Sequence, residues 1–402
     1  MVASVAALIL VIVFALAVFC NCVTEESKNC HFRTIFNFGA SNSDTGGLVA
    51  GYGLASLPPN GETFFKKPSG RFCDGRLVID FLCEGIRLPF LSPYLDSVGS
   101  NFSHGANFAI AGATVNSADS TLPLPVQVEQ FKRFKARVLD KISRGEDPAN
   151  LLPPREAFEK ALYTLDIGQN DISDAFTANL TLPQINGLVI PQTVNNIVSQ
   201  LKNLYSEGGR NFVVHNTGPL GCLPRTLADI RSDISELDEN GCAVAYNDAS
   251  QTFNRELKDA CTKLTAQLSG ATIVYVDIYS IKYSLIANAS QYGLCASLPT
   301  QNHKNYGFIR LIKLYILAGF EHPLEACCGY GGPPYNFNDD IRCSNTGIVN
   351  GRNVTYELCE DPSKSVSWDG IHYTERANFL VWSQIVSAKY SQPPLTPYQA
   401  CH

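Results

Sequence analysis

The chain has 402 residues, 45% of them hydrophobic, and a formal net charge of −6 at pH 7. This length and composition are enough for one large α/β domain or two ordinary ones. An acidic chain without a long basic segment is not expected to bind nucleic acid.

The amino-terminal segment indicates export. Its first 22 residues carry no charged side chain, and Val2 to Phe19 is almost wholly apolar. The small residues Cys20 and Cys22 fit the −3/−1 pattern of a cleavage site before Val23. We therefore predict a secretory signal peptide at 1–22, with an uncleaved membrane anchor as the alternative because the run is nearly long enough to span a bilayer. Cleavage would leave a secreted, extracellular protein without stable membrane association.

The cysteines and glycosylation sequons agree with export. Removal of Cys20 and Cys22 reduces the 14 cysteines to 12, and most of these are expected to pair in an oxidising compartment. The adjacent Cys327 and Cys328 are expected to bond to different partners. No pair of C-x-x-C motifs has metal-site spacing, so no metal is predicted. Glycosylation is predicted at the four N-x-[ST] asparagines, which are Asn101, Asn179, Asn288 and Asn353.

Alternating apolar patterns predict the fold. Short β-prone runs predict strands at 34–38, 161–167, 211–215 and 272–277. Helical periodicity predicts helices at 125–160, with a proline-rich break at 153–154, and at 191–204, 240–268 and 377–388. Strands that alternate with helices indicate a three-layer α/β/α fold with a mostly parallel central sheet. No linker is evident, so we expect a single domain over 23–402.

Ser41 is the first candidate catalytic residue. It follows the strand at 34–38 and the turn at Gly39. Ligand sites in open α/β sheets lie at the carboxyl ends of the strands, so a serine there is a candidate nucleophile. The alternative is a simple helix cap. The segment is not a G-x-S-x-G elbow, because Ser43 occupies the second glycine position.

Asp369 and His372 supply the missing partners of a serine nucleophile. Their spacing of three residues lets a carboxylate reach the ring of its neighbour. If this turn lies beside Ser41, the three form a Ser–His–Asp triad in which His372 is the general base and Asp369 orients it. The alternative is a structural hydrogen bond between the aspartate and the histidine.

Four sequence blocks give the chain a specific resemblance. They are Phe38–Ser41, Gly105–Ala109, Gly168–Asp171 and Asp369–His372. In this order they resemble the blocks of plant-type GDSL esterases/lipases, members of the SGNH hydrolase superfamily with a flavodoxin-like fold, and the resemblance covers nearly all of 31–390.

The resemblance implies a secreted serine esterase of the cell wall or apoplast that acts on a small-molecule or polysaccharide ester through an acyl-enzyme on Ser41. It also implies an oxyanion hole formed by the amides of Ser41 and Gly105 and the carboxamide of Asn170. No metal or organic cofactor is implied.

The chain departs from the family pattern at two places. Ala40 stands where the family has the aspartate of its motif, which favours a rival interpretation as a catalytically weakened protein that binds glycans or acylated compounds. A second rival is an acyltransferase that uses the same serine. The segment 294–318 has no counterpart in the family, and we interpret it as an insertion or as an unspliced intron in the gene model, whose removal would also remove Cys295.

Overall fold

The computed structural model describes residues 30–116, 122–293 and 319–401. The predicted signal peptide at 1–22 and the segment 294–318 with Cys295 lie outside the described residues. The strands are β1 Ile35–Gly39, β2 Gly105–Asn107, β3 Leu162–Asp166, β4 Asn211–His215, β5 Thr272–Val276, β6 Cys328–Gly329, β7 Thr346–Val349, β8 Arg352–Thr355, β9 Glu357–Leu358 and β10 Ser391–Gln392. The α-helices are α1 Gly47–Tyr52, α2 Val78–Gly85, α3 Leu124–Ser143, α4 Ala157–Lys160, α5 Gln169–Thr177, α6 Leu182–Gln184, α7 Ile190–Ser206, α8 Pro224–Ala228, α9 Val244–Gln267, α10 Ile278–Ala287 and α11 Glu375–Ile385.

The central sheet has six strands in the order β10-β5-β4-β3-β1-β2. All neighbouring pairs are parallel except β10 with β5. The prediction of a mostly parallel sheet is therefore confirmed. The strand order reverses between β1 and β3, because β2 follows β1 on one side and β3 on the other. Such a switch point is where open α/β sheets bind ligands, and the chain segments that carry Ser41 and Asn170 leave the sheet there.

Helices cover both faces of the sheet, which confirms the three-layer architecture. Phe36 and Phe38 of β1 pack edge-on against Phe131 of α3. On the opposite face, side chains of α2 and α11 enclose Asn37 and Thr164. Because successive side chains of a strand point to opposite faces, β1 contributes to both cores.

The predicted strands and helices agree with the structure within a few residues, with one exception. The helical region at 125–160 was predicted to reach the prolines at 153–154, but α3 ends at Ser143. Gly145 has φ +68°, a conformation that favours glycine and ends the helix. Asp147 then accepts the amides of Leu151 and Leu152, which stabilises a turn instead of a helix.

Four disulfides crosslink the described part of the chain. They are Cys30–Cys401, Cys222–Cys242, Cys327–Cys359 and Cys328–Cys343. The prediction that Cys327 and Cys328 bond to different partners is confirmed. The remaining described cysteines, Cys73, Cys83 and Cys261, are buried thiols. In the described ranges, no helix is both long enough and apolar enough to cross a bilayer.

Candidate active site

Ser41 lies in a tight turn at the carboxyl end of β1. The amide of Gly39 donates a hydrogen bond to Oε1 of Gln127, and the carbonyl oxygen of Gly39 accepts one from Nε2 of the same side chain, both at 2.9 Å. A Cβ atom at Gly39 would lie 2.3 Å from the carbonyl oxygen of Asp166, so the close approach of β1 to β3 requires glycine there. These contacts hold Ser41, which is 6% exposed, at the edge of the sheet.

Ala40, the departure from the family pattern, does not leave this turn without hydrogen bonds. Its amide donates to the carbonyl oxygen of Asp166 at 3.0 Å, and its carbonyl oxygen accepts the amide of Ser43 at 3.1 Å. The main chain alone therefore holds the turn on both sides of Ala40.

Asp44 connects the Ser41 turn to a second loop. Its carboxylate, fully buried, accepts four backbone amides: Gly46 at 2.8 Å, Gly47 at 2.5 Å, Leu48 at 3.1 Å and Ala111 at 2.8 Å. The first three amides belong to the start of α1, where a carboxylate is favourable. The fourth belongs to the loop after β2, so one side chain fixes the distance between the two loops.

Asp369 and His372 form a buried hydrogen-bonded pair, as their spacing predicts. Nδ1 of His372 lies 2.6 Å from Oδ2 of Asp369, while Oδ1 accepts the amides of His372 at 2.8 Å and Ile371 at 3.0 Å. Burial alone would raise the pKa of the Asp369 carboxyl, but the charge of His372 and these hydrogen bonds together hold the pKa below its usual value.

The main chain around the pair is tied to the disulfides. The amide of Trp368 donates to the carbonyl oxygen of His372 at 2.7 Å, and the amide of Cys328 donates to that of Trp368 at 2.7 Å. The amide of Cys327 donates to Ser367 at 3.1 Å. The two disulfides at Cys327 and Cys328 therefore anchor the residues that directly precede Asp369.

The second ring nitrogen of His372 is not bonded to Ser41. Nε2 is buried and has no hydrogen-bond partner among the described residues. Leu48 and Val49 of α1, a few residues after Ser41 in the chain, line one cavity together with Asp369 and His372. Catalytic hydrogen bonds are often long or misaligned without substrate and tighten only in the complex.

Asn170 and Asp171 connect α5 to the loop after β2. Nδ2 of Asn170 donates to the carbonyl oxygen of Ala113 at 2.8 Å, which leaves its second hydrogen for another acceptor. The Asp171 carboxylate accepts the amides of Val115 at 3.0 Å and Asn116 at 3.1 Å. Burial raises the pKa of Asp171 to about 7 in spite of these amides.

Gly105 is not at this edge of the sheet, and its predicted role as an oxyanion donor is wrong. It pairs with Ile35 at the start of β1, and its amide donates to Phe102 at 2.9 Å. Gly39 is four strand residues, or roughly 13 Å, further along β1. A Cβ atom at Gly105 would lie 1.8 Å from the carbonyl oxygen of Ile35, so this glycine serves tight strand packing.

Gly112, which follows the Gly105–Ala109 block, lies at the carboxyl end of the sheet. Ile110 donates to Gly39 at 3.2 Å, Ala111 donates to Asp44, and Ala113 accepts from Asn170. Gly112 stands between these contacts with φ +78°. Sequence reasoning missed it, although a glycine that follows a strand, rather than one that begins it, is the better candidate at this edge.

A cavity of about 300 Å³ adjoins His372. The 48–57 segment and Phe72 form its apolar side, and Arg342, Ser344 and Asn345 form its polar side. Arg342 forms an ion pair with Asp339 at 2.5 Å. Among the described residues, Asp369 is the single carboxylate that lines this cavity.

The remaining predicted residues are on the surface. Asn101, Asn179, Asn288 and Asn353 are all exposed, as glycan acceptors have to be. In the ranges that the structure describes, no group of three or more His, Cys, Asp or Glu side chains could hold a metal ion.

The chain matches known proteins over most of its length. Residues 35–385 match the profile of the family described as GDSL-like Lipase/Acylhydrolase. A protein named GDSL esterase/lipase At1g54790, from Arabidopsis thaliana, is 47% identical over 92% of each chain. The GDSL esterase/lipase ENOD8 of Medicago truncatula is 43% identical over 95% of this chain and 94% of its own. A protein named Alpha-L-fucosidase 3, from Arabidopsis thaliana, is 43% identical over 90% of this chain and 92% of its own.

Proposed function

Since the chain belongs to the family of GDSL-like lipases and acylhydrolases, and is therefore a carboxylic ester hydrolase, we propose that it works through an acyl-enzyme on Ser41. The Ser41 oxygen attacks the ester carbonyl carbon while Nε2 of His372 takes the hydroxyl proton. The imidazolium then gives that proton to the departing alcohol oxygen, and water cleaves the acyl-enzyme by the same steps. Asp369 holds the tautomer of His372 and stabilises its charged form.

The Asp369–His372 pair carries this proposal. Its contact of 2.6 Å leaves Nδ1 as the bonded nitrogen and the buried Nε2 as the nitrogen without a partner. A general base in a serine hydrolase needs this arrangement, because the second nitrogen has to exchange a proton with the nucleophile. A purely structural Asp–His contact would not require a cavity beside the ring.

The oxyanion hole of this proposal consists of the Ser41 amide and the carboxamide of Asn170. The loop after β2, rather than Gly105, borders these two donors, because it contacts both Asp44 of the Ser41 loop and Asn170. Preorganised donors stabilise the negative charge of a tetrahedral intermediate, and loss of one donor typically costs about 10²–10³ in turnover.

Glycoside cleavage, suggested by the name of one relative, is less well supported. Most glycosidases need two carboxyl groups on opposite sides of the scissile bond. Among the described residues, the cavity beside His372 offers only Asp369, which is already bonded to the histidine.

Three observations support an extracellular location, which belongs to the same proposal. The described chain contains four disulfides, and structural disulfides persist in oxidising compartments. All four sequon asparagines are exposed. The apolar run at 1–22 fits a cleaved signal.

We also propose that the fold closes without residues 294–318. The residues on either side of this segment pack together: Phe320 donates its amide to Ala289 at 2.9 Å, and the rings of Tyr292 and Phe320 are 6.4 Å apart. A Cβ atom at Gly319 would lie 2.5 Å from Cα of Ser290. Sequencing of the transcript tests the intron interpretation, because a mature message that encodes 294–318 would contradict it.

A serine-directed phosphonate tests the proposed mechanism. We expect labelling at Ser41, located by peptide mass spectrometry, and no labelling there in the Ser41→Ala and His372→Ala variants. Hydrolysis of 4-nitrophenyl acetate should be lost in parallel. Ser43→Ala is the matched control, because the Ser43 hydroxyl is buried two residues away and has no hydrogen-bond partner among the described residues.

Three results would contradict the proposed hydrolysis through Ser41. Ester hydrolysis that survives Ser41→Ala would exclude the acyl-enzyme on Ser41. Tight binding of an ester without turnover or labelling would favour the weakened binding protein. Acyl transfer to an added alcohol that exceeds hydrolysis would identify an acyltransferase.

A further inference from the structure

The cavity beside His372 is lined by some of the proposed catalytic residues and not by others. The inference drawn from this difference rests on the proposed function. Asp369, Ile371 and His372 line it from one loop. Neither Ser41 nor Asn170 is among the described residues that line it. His372 therefore borders the cavity, and the donors that would hold the carbonyl oxygen do not.

The reaction mechanism indicates which part of the ester would lie beside His372. In the breakdown of the tetrahedral intermediate, the imidazolium must lie within hydrogen-bond reach of the departing alcohol oxygen. The carbonyl oxygen points instead to the donors near Asn170. A space lined by the imidazole and not by the oxyanion donors is thus on the side where the alcohol leaves. The buried Nε2 of His372, without a partner among the described residues, is the donor for that oxygen.

The apolar side of the cavity indicates what kind of alcohol fits. It is formed by Leu48, Val49, Leu54, Leu57, Phe72 and Ile371. Leu54 is 54% exposed and Leu57 is 44% exposed, so a bound apolar group would cover surface that now faces water. Such burial is favourable by about 25 cal/mol per Å².

The charge and size of the cavity further restrict the class of alcohol that it can bind. Its two arginines are already paired, Arg71 with Asp80 at 2.6 Å and Arg342 with Asp339 at 2.5 Å, so neither calls for an anionic ligand. A volume of about 300 Å³ is at the lower end for small-molecule sites, so it suits one ring rather than a long chain.

We propose that this cavity is the subsite for the alcohol part of the ester, and that it selects neutral alcohols with an apolar group of about the size of a six-membered ring. The segment 48–57, close to Ser41 in the chain, and the segment 342–345, about 300 residues later, form its two sides. The polar side accommodates additional hydroxyl groups through Ser344 and Asn345.

Three esters separate the alcohol side from the acyl side. Ethyl acetate and cyclohexylmethyl acetate share the acyl group, and both release a primary alcohol. Ethyl cyclohexylacetate carries the same ring on the acyl side. We expect kcat/KM for cyclohexylmethyl acetate to exceed that for ethyl acetate at least about tenfold, since one apolar group in a pocket discriminates by about 10- to 200-fold.

Leu54→Asp tests the site, and Leu188→Asp is its matched control. Leu188 is an exposed leucine outside the cavity, at 68% exposure. We expect Leu54→Asp to lower kcat/KM for cyclohexylmethyl acetate about tenfold, with changes below about twofold for the other two esters. Leu188→Asp should match the wild type for all three.

The outcomes are distinguishable. If Leu54→Asp lowered kcat/KM for ethyl cyclohexylacetate instead of cyclohexylmethyl acetate, the cavity would bind the acyl group, and this result would overturn the inference. Hydrolysis of all three esters without dependence on Leu54 would overturn it as well, while the proposed function would stand. No hydrolysis of any ester, together with no labelling of Ser41, would overturn both.

Discussion

The Asp44 carboxylate offers a sharp test of how the active-site loops are held. Oδ1 accepts the amides of Gly46 and Gly47, and Oδ2 accepts those of Leu48 and Ala111. Asp44→Asn keeps the size of the side chain but replaces one oxygen with an amino group. That group donates and cannot accept, so two of the four backbone amides lose their acceptor.

The magnitude follows from those two amides. A buried donor without a partner costs about 1–3 kcal/mol, so Asp44→Asn should lower the free energy of unfolding by about 2–6 kcal/mol. This is a large part of the roughly 5–15 kcal/mol of a typical domain. If the rotamer that keeps the Gly46 and Gly47 contacts is chosen, the Leu48 and Ala111 contacts are lost, and the loop with Gly112 can move away from Ser41.

Urea unfolding and ester hydrolysis together test the effect of Asp44→Asn. We expect a lower free energy of unfolding and, in the fraction that remains folded, a lower kcat. Ser43→Ala is the control, because that buried hydroxyl has no hydrogen-bond partner among the described residues. An Asp44→Asn variant within about 0.5 kcal/mol of the wild type, the usual range of an uninvolved surface position, would refute the reasoning.

Four further predictions concern other parts of the molecule. Asp369→Asn should lower kcat by about 10³- to 10⁴-fold with an unchanged circular dichroism spectrum, because the amide favours the wrong histidine tautomer; a loss below tenfold would contradict this role. The double variant Cys328→Ser/Cys343→Ser opens a loop with a sequence separation of 15 and should lower the free energy of unfolding by about 3 kcal/mol in urea. Asp171, whose pKa burial raises to about 7, keeps a proton in the folded state that the unfolded chain releases near its ordinary value of 3.8. The Asp171 carboxyl should therefore contribute a loss of stability as the pH rises from about 4 to 7, and Asp171→Asn should remove this contribution from the pH dependence measured in urea titrations; equal pH slopes for the wild type and the variant would count against it. Deletion of 294–318 should leave ester hydrolysis and the melting temperature close to those of the full chain, and an insoluble product would argue that the segment is part of the fold.

Local patterns determined much of this protein. The apolar run before Gly39 predicted β1, and the alternation of strands and helices predicted a mostly parallel three-layer fold. Both predictions were possible because the spacing of apolar residues indicates which faces of strands and helices are buried. The Asp369–His372 contact was also predictable, since a turn over residues 369–372 brings the carboxylate within reach of the imidazole three residues later. Ser41 could be recognised because it directly follows the apolar run of β1 and the turn at Gly39.

Tertiary structure decided what depends on register and on distant segments. The short strand between Gly105 and Gly112 was not predicted from the sequence, and the pairing of Gly105 with Ile35 shows which end of the sheet each glycine occupies. The cavity beside His372 joins segments 48–57 and 342–345, which no local pattern relates. Side-chain periodicity specifies which face of an element is buried, whereas strand register and loop contacts arise only when the whole chain packs, and these set the position of the oxyanion donors and the shape of the substrate site.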